Sequence, residues 1–127
     1  MRLLRRQLHL DALIKIVDSN RQLLELGFEK PALWEFFVTD VARVTDKSAQ
    51  EERRRYFQLW MNHIHLIWKA HKLGLYDRSE WRCTRADMLD FFKLDHFTRH
   101  WEEVTQYYPA AFCREMKRLA KEAATPK

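Results

Sequence analysis

The chain has 127 residues, of which 46% are hydrophobic, 13% aromatic and 32% charged. That balance excludes a disordered chain and suits one domain, large enough to bury a core without disulfide or metal staples. With only 2 Gly and 3 Pro an all-β fold is disfavoured, and a formal charge of +5 with a pI near 9.4 admits a polyanionic partner without demanding one, because the two signs are mostly interleaved.

The first predicted helix runs from about Leu3 to Asp18, with Leu3, Leu10, Ile14 and Val17 on one face, widened by Leu13. Ser19-Asn20 interrupts the pattern, and Arg21 to Leu26 reads as a further turn stopped by Gly27. Pro31 suits the first turn of a second helix, because its missing N–H costs nothing there. That helix carries Leu33, Trp34, Phe37, Val38 and Val41 to about Val44, and a polar connection follows.

The next segment dominates the chain. Between Ser48 and Gly74, successive 100° steps place Leu59, Met61, Ile64, Ile67, Trp68 and their neighbours in one apolar arc of roughly 240°. A helix apolar over so much of its circumference is surrounded by other helices. Ser48 with Glu51 forms a capping box at its start, and Gly74 is a natural stop. Ser79 then caps a helix carrying Trp81, Met88, Leu89, Phe91 and Phe92. Asp95 caps another, with the stripe Phe97, Trp101, Val104 and Tyr108. Pro109 ends that helix and opens the last, whose buried face is Phe112, Met116, Leu119 and Ala123. The expected fold is therefore all-α: a single domain over residues 1–124, five or six helices around a central helix at about 48–73, with a frayed tail at 125–127.

Side chains that could carry chemistry are few. His63 and His71 lie within the apolar arc, with Asn62 at its edge, and read as a buried polar group. Their spacing of eight residues is about 12 Å of helix, too far for one metal ion. His96, His100 and Glu103 share a helical stripe that could hold zinc or another divalent ion, though the metalloprotease pattern is absent. Arg2 and His9 match the Arg-to-His spacing of some RNA-cleaving helical bundles, a match that chance alone supplies. Asp87 and Asp90 share a face and read as a surface pair. Cys83, near Arg82 and Arg85, has no adjacent base, and with Cys113 it reads as one of two reduced thiols, a disulfide between them being open from sequence alone. No catalytic residue and no cofactor is assigned.

Basic clusters stand at Arg2-Arg5-Arg6, at Arg53, Arg54 and Arg55, and at Arg114, Lys117, Arg118 and Lys121. The last two could meet nucleic acid or an anionic membrane surface. Trp34 and Trp81, outside the central helix, are the candidate anchors for a protein partner. No apolar run reaches the roughly 18 residues of a membrane span. The positive residues at the start are followed by His9, Asp11 and Lys15, which speaks against a signal peptide and for a cytoplasmic chain.

Three segments, Arg53-Arg54-Arg55-Tyr56-Phe57 through Trp60, Asn62 and Trp68 to Leu73-Gly74-Leu75, then Phe97 to Trp101, then Tyr107-Tyr108-Pro109-Ala110-Ala111-Phe112, resemble a group of small all-helical bacterial domains of unknown function. In that group a membrane helix often precedes a basic first helix. The resemblance covers about Leu3 to Leu119 and implies an all-α fold on the cytosolic side, with no catalytic residue to carry over. This chain departs from the group in showing no membrane segment. The expected function is a non-enzymatic helical interaction or regulatory module, a subunit or accessory protein that binds another protein or its own copy. A nucleic-acid or anionic-surface binder is the alternative, and a metal-binding or enzymatic bundle the second.

Overall fold

A computed structural model describes residues 2–37 and 46–125, without the side chains of 35–37. Among the described residues the chain is all-α: α1 Arg2–Glu29, α2 Lys47–Lys72, α3 Arg78–Phe92, α4 Asp95–Val104 and α5 Ala110–Ala124, with 3-10 turns at Pro31–Phe37 and Thr105–Tyr107. None of these helices is long and apolar enough to cross a membrane.

The central helix is where periodicity placed it. α2 packs against α1, the first 3-10 turn, α3 and α4, while α3 and α5 pack on each other. Each of three apolar clusters takes residues from α2. Phe57, Met61 and Ile64 meet Met88, Phe92, Phe97, Trp101, Phe112, Met116 and Leu119 in the main core. Ile67 and Ala70 meet Ile16 and Trp81. Tyr56 meets Leu23 and Leu33. This division explains most of the wide apolar arc, since different sectors of one helix serve different neighbours, but Leu59, expected within it, is 44% exposed.

Several local expectations are corrected. α1 is one continuous helix of 28 residues through Ser19-Asn20 and Gly27. Ser19 directs its hydroxyl to the His63 ring instead of its own backbone, and Arg21 pairs with Asp18 and Glu25 along the surface. The first arrangement removes the competition of Ser19 with the helix backbone, and the second adds surface ion pairs at helical spacing. Gly27 is buried inside the helix because Trp34 lies against it, where a Cβ would come within 2.1 Å of the indole nitrogen. The segment after Pro31 is a 3-10 turn as far as Phe37, and the expected continuation through Val38 and Val41 to Val44 lies outside the described residues.

The cap moves by two residues at both Asp-x-Ser sites. Asp46, not Ser48, caps α2 and accepts from Ser48 N at 3.1 Å; Asp77, not Ser79, caps α3 and accepts from Ser79 N at 3.3 Å. The ionised carboxylate is the stronger acceptor beside the positive end of the helix dipole. Asp95 lies inside the first turn of α4, where Leu94 holds the cap position without a side-chain bond. α4 ends at Val104, before Tyr108, and Pro109 caps α5. The stop after α2 is as read: Gly74 has φ of 73°, Leu75 N donates to Ala70 O at 2.8 Å and Gly74 N to His71 O at 3.0 Å. Those crossed bonds satisfy carbonyls the helix end leaves open.

Candidate functional site

α1 carries two long apolar stripes, with Leu4 (63% exposed) and Leu8 (48%) standing outside both near its start. Ile16, Leu23 and Gly27 are buried and turn toward the 3-10 turn and α2. The face expected from sequence exists but points outward: Leu3 is 81% exposed, Leu10 46%, Ile14 65% and Val17 65%, and Phe28, at 78%, extends it. On a helical wheel the outward stripe stands roughly 130° from the packed one. Its flank opens on a shallow hollow of about 300 Å³ bordered by Leu13, Ile14, Val17, Asp18 and Arg21.

Leu13 and Val17 also border a larger cleft of about 500 Å³ between α1, α2 and α3. Its walls are mostly apolar, including Ile16, Met61, Ile64, Ile67, Met88 and Phe91, with Asn20, Glu80, Thr84 and Asp87 as polar members. His63 also lines it. The ring is buried, with Nδ1 3.0 Å from Ser19 Oγ and the plane edge-on to Trp60 at 5.9 Å. Burial disfavours the imidazolium and pushes the His63 pKa down. A neutral imidazole bonded to a serine is thus built into an apolar wall.

The other predicted residues are dispersed. His71 does not line that cleft; it is half-buried and stacks on Trp81 at 5.3 Å with an interplanar angle of 15°. Asn62 is exposed and accepts from the Tyr108 hydroxyl at 2.6 Å, a bond that ties α2 to the start of α5. Burial raises the Tyr108 phenol far above its ordinary value, so it remains a donor. His100 is buried, 3.7 Å from the Glu103 carboxylate and against the Phe57 ring, while His96 is half-buried. Among the described residues no three His, Cys, Asp or Glu side chains are grouped to hold a metal ion, so the His96, His100, Glu103 stripe does not form a centre.

Neither tryptophan is an open anchor. Trp81 is buried, and Trp34 packs between Gly27, Tyr56 and Trp60. Arg53, Arg54 and Arg55 lie in the first turns of α2, with Arg55 3.7 Å from Glu51. Arg114 and Arg118 instead join Lys72 and Trp68 at the opposite end of α2, about 27 Å away along the helix. Lys117 and Lys121 are exposed on α5, and Arg118 pairs with Glu115. The two basic clusters therefore make separate patches. Cys83 and Cys113 are both free thiols; Cys113 donates to Thr105 O at 3.3 Å, and burial pushes its pKa up.

The residues that sequence reasoning missed are Phe28, which is exposed, and Leu24, which is half-buried; both continue the stripe by the same spacing. The signal was present, but an expected break at Ser19-Asn20 hid it. Compared with family models, with curated proteins and with solved structures, the chain matches none of them.

Proposed function

We propose that this chain is a non-enzymatic helical interaction module, a cytoplasmic subunit or accessory protein, which presents the outward face of α1 lengthwise to a second helix. One observation carries the reading: Leu3, Leu10, Ile14, Val17 and Phe28 stand in a line on the water side of a helix already anchored by its other face. Scattered apolar residues are ordinary on a surface, whereas an aligned set marks a contact surface. Burying five such side chains from their observed exposure yields roughly 5–10 kcal/mol. That is of the same order as the cost of association, so tight binding needs a partner with a matching stripe. The imidazoles that suggested chemistry are engaged in packing: His63 with Trp60 and Ser19, His71 with Trp81, His100 with Phe57.

A photo-crosslinking residue placed at Leu10, Ile14 or Val17 tests this in cells. A discrete adduct is expected from stripe positions and none from exposed Lys117 on α5. Folded protein that yields no adduct from any stripe position would refute the reading.

A further inference from the structure

We propose that the partner is a second copy of this chain, the two α1 helices pairing in parallel and in register as a two-stranded coiled coil. This rests on the interaction reading above and names its partner. Leu3, Leu10, Val17 and Leu24 recur at every seventh residue, and Gln7, Ile14, Arg21 and Phe28 recur likewise, four residues later. Alternating steps of four and three make a period of 3.5, which winds a left-handed seam between two helices. The first set, three leucines and Val17, takes the d positions; the second takes a, with β-branched Ile14 as its aliphatic member and Gln7 and Arg21 as polar ones. That combination favours two parallel strands.

Charge selects the direction. The row beside d on one flank is Leu4, Asp11, Asp18 and Glu25; the row beside a on the other is Arg6, Leu13, Asn20 and Gly27. In a fully overlapped antiparallel pair the first row meets itself, setting Asp11 against Asp18 and Glu25 against Leu4. In a parallel pair it meets the second row, which carries no acid, and Arg6 reaches Asp11 of the second copy. Arg21 occupies an a position on the two-fold axis. Its charge is already compensated by Asp18 and by Glu25, 3.0 Å away. With Gln7 also polar in the a row, Arg21 penalises a shift of one heptad, which would set it against Ile14 or Phe28. The seam stands roughly 130° from the face of α1 that holds α2, and the row beside a reaches that face only at Gly27, which lies under Trp34.

Sedimentation equilibrium on the full chain tests the proposal. A mass of twice 15.6 kDa is expected at about 10 µM. Ile14→Asp should weaken the dimer at least about 100-fold, since it removes two buried isoleucines and adds two charges. The helical CD signal should survive, because Ile14 is 65% exposed in the single chain. For direction, Leu3→Cys in a Cys83→Ser, Cys113→Ala background should cross-link to itself under oxidation; antiparallel helices would hold those thiols tens of ångströms apart. A monomer at every concentration, a dimer indifferent to Ile14→Asp, or a dimer of the Leu3→Cys variant that forms no disulfide between its copies would each overturn the proposal. A stripe adduct with a different protein would leave the interaction reading standing while this one falls, and absence of every adduct would remove both.

Discussion

Replacing Gly27 by Ala sets two effects of opposite sign against each other. Helix propensity alone favours the change by less than the roughly 1 kcal/mol of a helix interior, because Gly27 lies two residues before the end of α1. The surroundings oppose it. A Cβ there would stand 2.1 Å from Trp34 Nε1, 2.6 Å from Trp34 Cε2 and 2.8 Å from the Tyr56 hydroxyl oxygen. Ordinary contact begins near 3.4 Å, so the indole must retreat by roughly 1.3 Å (3.4 less 2.1). It is held by Tyr56 and Trp60, with ring centroids at 5.9 and 5.7 Å. The Tyr56 hydroxyl cannot yield freely either, because it donates to Leu23 O at 2.9 Å. Overpacking costs about 1–3 kcal/mol and a weakened buried hydrogen bond about 1 more. The expected balance is a destabilisation of about 2 kcal/mol, or a melting temperature lowered by roughly 6–10 °C. Urea unfolding followed by tryptophan fluorescence measures it, and a Trp34→Ala background should abolish most of the loss. If Gly27→Ala melts at or above the parent temperature, the turn after Pro31 is not seated on α1 and the packing argument fails.

The buried imidazole predicts a pH dependence of fixed sign. Burial lowers the His63 pKa in the folded chain, so below the ordinary value of 6.5 the unfolded state binds the proton first. Stability is complete above that value and declines as the pH falls from about 7 toward 5. His65, also lowered by burial and by the Lys69 charge, adds to the slope. The decline should be shallower in His63→Gln, and equal slopes in thermal melts across that range would contradict the assignment. Tyr108→Phe keeps the ring packed on Trp101 and Phe112 but removes the donor to Asn62. A loss of about 1 kcal/mol in chemical denaturation is expected, and an unchanged midpoint would show that the bond contributes nothing in water.

Helix existence was legible because it depends on short-range patterns. The 3.6-residue recurrence in α2 and α5, the proline before Ala110 and the glycine after Leu73 each act within a few positions of themselves. Cap identity was less legible at Asp46-Lys47-Ser48 and Asp77-Arg78-Ser79, where two good acceptors stand two residues apart and relative strength decides. Ser19-Asn20 misled for another reason: its tendency to break a helix is real in isolation, and a contact with His63, 44 positions away, cancels it.

Sequence by itself determined that α1 would have apolar faces and that α2 would be enclosed, because both follow from residue order on a regular helix. Which face of α1 turns inward was decided only by the tertiary structure. Ile16, Leu23 and Gly27 match the profile of α2 and the Trp34 turn, so they are buried, and the Leu3-to-Phe28 stripe is left facing water. Burial depends on complementarity with a neighbour's surface, and that information is distributed over residues far apart in the chain.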